Sequence, residues 1–265
     1  MREEGVQPVL YYANSNIYPP EEYGRRRDTI RAWACEQGLA FEEGAYEPQE
    51  WESTAGKLGD AAVRRYGVIV HEAQPAEDGA GEVASLSCGN GEGAASASAP
   101  ETDPAEQARQ ARCRACYRQR FQDAAAHAAA NGFDELSTTL SVSPYQYTAI
   151  IREELERACA AYGIQPVFSD YRPYYDAATR RSREEGMYRQ NYCGCRLSQE
   201  EARVEREARK QMRAQARRAL QEQNAEARAQ QERERMRNRQ EKQAYQLKQQ
   251  RKRAILKALR ENRSQ

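Results

Sequence analysis

From Leu197 to Gln265 the chain contains neither glycine nor proline. Sixty-nine residues drawn mainly from Ala, Arg, Glu, Gln and Lys, with no breaker among them, predict one long helix. The large apolar residues there are sparse (Val204, Met212, Leu220, Met236, Tyr245 and Leu247 among them) and form no sustained heptad seam. A solvated helix therefore fits this stretch better than a coiled coil. From Ser198 onward there are 20 Lys and Arg against 10 Asp and Glu, while the preceding 197 residues hold 21 against 30. The formal net charge of +1 thus conceals a tail of +10 and a body of −9. Residues 199–265 read as a basic helical tail on a domain spanning 1–198.

Within that domain, strand and helix signals alternate. Gln7–Ala13 is a short apolar, aromatic run that reads as a buried strand. Pro19 and Pro20 open a helix with Glu21 and Glu22 in its first turn, and Gly38 ends it. A weaker strand follows near Leu39–Glu42. A helix over 49–65 is interrupted by Gly56 and Gly59, and Gly67–His71 reads as another strand. Residues 72–104 hold five glycines amid Ala, Ser and acidic residues, with Val83 and Leu86 the only aliphatics larger than Ala. They cannot bury enough apolar surface to offset ordering their backbone. This segment reads as a disordered insertion, and Cys88 within it as incidental.

Order resumes at Glu106 with a helix carrying Cys116, Phe121, Ala124, Ala125 and Ala128 and capped by Asn131-Gly132. Leu136–Val142 is strand-like. Tyr145–Tyr162 places Ile150, Ile151, Leu155 and Cys159 at helical spacing and stops at Gly163, and Gln165–Ser169 is a last short strand. Such alternation predicts an α/β fold with a parallel sheet and crossover helices. No run approaches the roughly 18 apolar residues of a membrane span, and the N-terminal residues lack a signal-peptide core. Seven cysteines, an odd number, suit a reducing compartment, so the expected location is the cytoplasm. His71 and His127 read as structural.

Four of the seven cysteines fall in two motifs, Cys113-Arg-Ala-Cys116 and Cys193-Gly-Cys195. Such clustering points to metal or electron chemistry. Four thiolates in two pairs suit a zinc site or an iron–sulfur cluster. Alternatively one pair ligates metal while the other cycles between dithiol and disulfide. The x-x spacing lets Cys113 and Cys116 converge on one centre. A ring closed through a single glycine is strained, and strained disulfides are the reducible ones, which favours a catalytic role for Cys193 and Cys195.

The residues around these pairs carry a resemblance. Asn16-Ile17-Tyr18-Pro19 with Glu22-Tyr23 and Arg26, then Cys113-x-x-Cys116-Tyr117-x-x-Arg120, follow one another in a familiar order. Gly132-Phe133-Asp134, Thr138-Thr139-Leu140 with Ser143-Pro144-Tyr145, and Ser169-Asp170-Tyr171-Arg172 continue it. The most specific block is Ser182-Arg183-Glu184, Gly186, Tyr188-Arg189-Gln190 and Tyr192-Cys193-Gly194-Cys195. Between Val9 and Ser198 the chain resembles the QueH family of epoxyqueuosine reductases, which complete the queuosine base of the tRNA anticodon. The resemblance implies a Rossmann-like, HUP-type fold and removal of the epoxide oxygen of epoxyqueuosine at the wobble position of tRNA, without cobalamin. It implies a [4Fe-4S] cluster with Cys113 and Cys116 as two ligands, a redox-active disulfide at Cys193 and Cys195, and a separate electron donor. A second iron is left open. Members of the family also carry a strand and a Cys-Cys-x-x-Cys motif ahead of the matched region. No such motif occurs between Met1 and Val9, so the expectation is a true start upstream of Met1, with an inactive remnant as the alternative.

Epoxide removal needs two electrons, two protons and a proton donor. Asp170, at the end of a predicted strand, is the candidate donor, with a turn cap as its plainer reading. Tyr188 and Tyr192 are candidates for stacking on the base or giving protons, Arg183 and Arg189 for phosphate or anticodon contacts. The tail offers sequence-independent affinity for tRNA or is a solvated appendage, its charges interspersed along the sequence. A zinc-stabilised RNA-binding module without catalysis and a thiol–disulfide oxidoreductase acting on proteins are the rival readings.

Overall fold

The computed structural model describes residues 7–70 and 103–262, with side chains as far as 253. All of the expected insertion but Asp103 and Pro104, which cap and open a helix, lies outside the described residues, as do Cys88 and His71. The chain divides into two units, Met1–Glu205 and Arg206–Gln265.

In the first unit, β1 (Val9–Tyr12), α1 (Pro20–Glu36) and β2 (Ala40–Glu43) form a strand–helix–strand unit whose strands pair in parallel, Val9 opposite Ala40 and Tyr12 opposite Glu43. Pro20 sits in the first turn of α1, where its missing N–H costs nothing, and Glu21 and Glu22 follow it. A short helix α2 (Pro48–Trp51) runs through a π-turn (Glu52–Gly56) into α3 (Lys57–Tyr66). Gly59 does not break this element. A Cβ there would stand 2.1 Å from Leu197 Cδ1 and 2.8 Å from Arg112 Cδ, so the glycine is what lets three helices approach. Gly67 then takes φ +77°, and the described residues of the expected strand at Gly67–His71, 67–70, are not one.

α4 (Pro104–Ala130) starts at Asp103, whose carboxylate accepts from the Ala105 N–H at 3.1 Å. It ends at Asn131-Gly132 with the Phe133 N–H returning to the Ala128 carbonyl at 3.0 Å. β3 (Glu135–Ser137) and β4 (Gln165–Val167) are parallel partners around α5 (Thr148–Tyr162), which is closed by left-handed Gly163. The strand expected over Leu136–Val142 stops at Ser137. The Thr138 hydroxyl accepts from the Leu140 N–H at 3.2 Å and turns the chain into a 3-10 helix, Leu140–Val142. Among the described residues the strands form two separate two-stranded parallel ladders in place of one sheet. The fold is mixed α/β, with small parallel sheets and a long C-terminal helix.

The core lies between α4 and α5, where Tyr117, Phe121, Ala125 and Ala128 meet Ile150, Ile151, Leu155, Ala158 and Cys159. Glu154 is 1% exposed within it and is satisfied by Arg114 at 2.9 Å and Arg118 at 2.9 Å from α4. These guanidiniums hold its carboxyl below the usual carboxylate range against the effect of burial. His127 is structural: it stacks on Tyr11 and meets Glu42 at 2.5 Å. α6 (Tyr175–Glu184) buries no residue. α7 (Arg196–Asn262) is the helix foreseen from the breaker-free tail.

Candidate functional site

Three elements build one small cavity. α4 presents a single face whose buried members, Arg109, Arg112, Cys116, Tyr117, Phe121, Ala125 and Ala128, recur every three or four residues. Cys113 and Cys116, one turn apart, therefore point the same way. The loop ending at Cys195 brings Cys193 and Cys195 against that face, and the turn before α5, closed by the Gln146 N–H on the Ser143 carbonyl at 3.1 Å, adds Tyr145 and Gln146. The cavity these residues line holds about 20 Å³, and Asn16, Trp51 and Ser198 complete its wall. The two cysteine motifs, some 80 residues apart in sequence, thus meet in one place. Cys116 and Cys195 share one apolar cluster with Trp51 and Leu197.

The four thiols are not equivalent. Cys116 and Cys195 are buried, Cys113 is partly covered, and Cys193 is exposed. All four are free thiols. Burial pushes the Cys116 thiol far up, with Arg120 and the Trp51 indole opposing. Burial also raises Cys195, to about 11, against the pull of Arg112 and Ser198. Cys195 precedes the first turn of α7 and acts as its N-cap: its sulfur receives the Ser198 N–H at 3.3 Å. Where Cys193 faces solvent, Gln146 Nε2 donates to its sulfur at 3.2 Å. That amide is oriented in turn by the buried Tyr117 hydroxyl, which donates to Gln146 Oε1 at 2.5 Å.

Behind the thiols lies a buried ionic cluster. Arg112 bonds Glu201 at 2.5 and 3.3 Å and reaches Cys113 Sγ at 3.6 Å. Arg109 bonds Glu201 at 3.3 Å and the Tyr147 hydroxyl, which donates to Glu106 at 2.7 Å. Both guanidiniums stay protonated despite burial, because Glu201 and the neighbouring sulfurs favour the charged form. The thiols accordingly face fixed positive charge.

A clamp from α1 holds the Cys-Gly-Cys loop. The Arg26 guanidinium donates to the carbonyls of Cys193 at 2.8 Å and Tyr192 at 3.2 Å, and to Glu22 Oε1 at 2.7 Å. Gly194, at φ +154°, leaves no room for a Cβ, which would meet Asn16 Nδ2 at 2.9 Å. The Tyr18 N–H closes the contact on the Gly194 carbonyl at 2.9 Å.

The other sequence candidates fall outside the cavity wall. Asp170 is a turn cap: it accepts from the Arg172 N–H at 3.0 Å and pairs with the Arg172 guanidinium at 2.5 Å. Arg172 holds its carboxyl below the usual carboxylate range. The turn cap is the plainer of the two roles the sequence left open for it. Tyr188 donates its hydroxyl to Glu22 at 2.7 Å beneath Arg25, and Tyr192 donates to the Tyr18 carbonyl beneath Arg26. Both hydroxyls brace the loop. Arg183 and Arg189 are exposed. Sequence reasoning missed Gln146, Arg109, Arg112 and Glu201. The helical spacing of both arginines with Cys113 and Cys116 was the available signal for them. Gln146 carried no local signal.

The donor set suits a group bound through several separated thiolates. Four sulfurs face one cavity with amide and guanidinium donors beside them. One lining polar atom, Asn16 Oδ1, is buried without a hydrogen-bond partner. Among the described residues no three His, Cys, Asp or Glu side chains converge tightly enough to hold a single metal ion. Thiolates are ligands for both zinc and iron–sulfur clusters, and Cys113 and Cys116 are donors of that kind.

Gln146→Leu keeps the volume and removes the N–H···S donor. Loss of a hydrogen bond worth about 1 kcal/mol should raise amide hydrogen exchange in the loop that carries Cys193 about fivefold, measured by peptide mass spectrometry. Unchanged exchange means the amide does not hold that loop.

A family model described as "Epoxyqueuosine reductase QueH" matches residues 1–65 and 97–201. Among curated proteins, the Epoxyqueuosine reductase QueH of Dehalococcoides mccartyi is 32% identical over 90 residues, 34% of this chain and 50% of that protein. That of Thermotoga maritima is 26% identical over 191 residues, covering 71% of this chain and 78% of the relative. That of Histophilus somni is 25% identical over 208 residues, 77% and 67% of the two chains. The match thus spans half the length of the first of these relatives, and two thirds or more of the other two.

Proposed function

The chain belongs to the QueH family, and we propose that it is an epoxyqueuosine reductase, removing the epoxide oxygen of epoxyqueuosine in tRNA as the last step toward queuosine. The observation that carries this reading is the convergence of Cys113, Cys116, Cys193 and Cys195 on one cavity. Two parallel strand–helix–strand units support extending the proposal to a Rossmann-like, HUP-type fold. No helix among the described residues is long and apolar enough to cross a membrane, in keeping with work on tRNA in the cytoplasm.

Cys113 and Cys116 would hold a [4Fe-4S] cluster as two of its ligands. When bound, such a cluster supplies electrons and a Lewis-acidic iron for the departing oxygen. Cys193 and Cys195 form the two-electron couple. Their oxidation to a disulfide releases two electrons and two protons, which convert the epoxide oxygen to water and leave a carbon–carbon double bond. Exposed Cys193 is the thiol through which an external donor would reduce the pair again, and the Gln146 amide donates to its sulfur. Arg109 and Arg112 hold positive charge beside the sulfurs. Arg183 and Arg189 are proposed contacts to tRNA phosphates, and Tyr188 and Tyr192 keep the loop in place for the base.

The test is anaerobic reconstitution with iron and sulfide, followed by incubation with tRNA bearing epoxyqueuosine and a chemical reductant. Conversion to queuosine is expected, and Cys113→Ser should lose both bound iron and activity. Intact activity in Cys113→Ser would instead favour a thiol–disulfide oxidoreductase. Zinc without sulfide or visible absorption would favour a non-catalytic RNA-binding module.

A further inference from the structure

The basic residues of α7 are mixed with acidic ones along the sequence but separated from them around the helix. Between Arg206 and Arg253 there are 16 Lys and Arg and six Glu. At 3.6 residues per turn, a path from Arg206 that advances three or four residues at a time meets only Arg, Lys, Gln or Asn until Arg253. Nine basic residues lie on this stripe, Arg213, Arg217, Arg235 and Arg239 among them, and no acidic one does. The other faces hold seven basic residues against all six glutamates (207, 222, 226, 232, 234 and 241), and Arg237 pairs there with Glu241 at 3.7 Å. Nearly all the excess charge of this helix is therefore on one side, along about 70 Å of axis. The stripe residues are exposed, apart from the half-covered Gln249.

We propose that this stripe binds the phosphate backbone of RNA, the partner being the tRNA on which the neighbouring unit acts. Identifying the RNA as tRNA rests on the function proposed above. The stripe itself lies beyond the family match, which ends at residue 201. A row of cations with no acidic residue in it suits a polyanion, because each phosphate contact releases condensed counterions. The intervening Gln and Asn amides are neutral donors that phosphate oxygens accept. A lipid surface would require an apolar band beside the charges. Among the residues of α7 whose side chains are described, the exposed Met212, Leu220, Met236, Tyr245 and Leu247 are scattered around the helix and form no such band.

The test uses the full chain and an unmodified tRNA transcript, so that the readout is independent of epoxide chemistry. One variant carries Arg213, Arg217, Arg235 and Arg239 each replaced by Gln. Its control carries the same change at Arg218, Arg233, Arg237 and Arg251, with equal net charge. Affinity is measured from 50 to 200 mM salt, with helicity checked by circular dichroism. The stripe variant should bind at least tenfold more weakly at 100 mM salt. Its log–log salt slope should be shallower by about three, near 0.9 per lost phosphate contact. The control should stay within about twofold. Equal losses in both variants would overturn the proposal, since net charge alone would then explain binding. No loss in either would also overturn it. So would wild-type binding to phosphatidylserine vesicles with none to tRNA. A chain that binds tRNA through the stripe yet reduces no epoxyqueuosine would refute the enzymatic reading while leaving the stripe in place.

Discussion

Glu201→Ala is expected to lower the melting temperature by about 10 °C. Its carboxylate is the shared counter-ion of Arg109 and Arg112, and all three side chains are less than one tenth exposed. Removing one member of a buried ion cluster strands charge in a low-dielectric setting and costs about 3 kcal/mol or more. For a domain of this size each kcal/mol shifts the midpoint by about 2–4 °C. The change also acts on the thiols. With Glu201 gone, the positive field of Arg112 at Cys195 is no longer offset, so that thiol, raised to about 11 in the native chain, should titrate lower. Alkylation of Cys195 should then speed up at pH 9 and 10 °C, far below the melting range. Glu201→Gln keeps the volume and should recover part of the stability but none of the charge effect. A melting point within 2 °C of the native value for both variants would mean that the cluster is solvated.

Arg26→Ala is expected to reduce kcat at least a hundredfold while leaving the fold assembled. One guanidinium fixes both carbonyls at Tyr192 and Cys193 and is itself oriented by Glu22. Its loss frees the Cys-Gly-Cys loop, and misplacing a reacting group by about 1 Å costs about a hundredfold in rate. Hydrogen exchange should rise over residues 188–194 but not over α4 and α5. Arg26→Lys should not restore activity, because an ammonium cannot span two carbonyls and a carboxylate in one plane. Near-native kcat in Arg26→Ala, or protection unchanged in the loop, would show that the clamp is dispensable.

How much of this was legible beforehand follows from the range of each interaction. The caps were local and readable: Asn131-Gly132 closes α4, Gly163 closes α5, and Pro20 opens α1. Gly59 misled, because glycine lowers helix propensity, whereas in the folded chain it is needed where Leu197 and Arg112 press on the helix. Asp170 could be read in two ways. A carboxylate at a strand end suggested chemistry, yet the neighbouring Arg172 takes it up in a turn. Glu201 was counted with the solvated tail, and only the approach of α4 makes it a buried counter-ion.

From the sequence alone came the two cysteine pairs, the family resemblance, the alternation of strand and helix, and the breaker-free terminal helix. Each is written in residues close together along the chain, where propensity, spacing and motif order act directly. Tertiary structure alone decided that the two sulfur pairs share one cavity, that Gln146 serves Cys193, and that α1 grips their loop. Those contacts join residues between about 50 and 170 positions apart. No local pattern encodes such encounters, because they depend on how buried faces pack once the helices have formed.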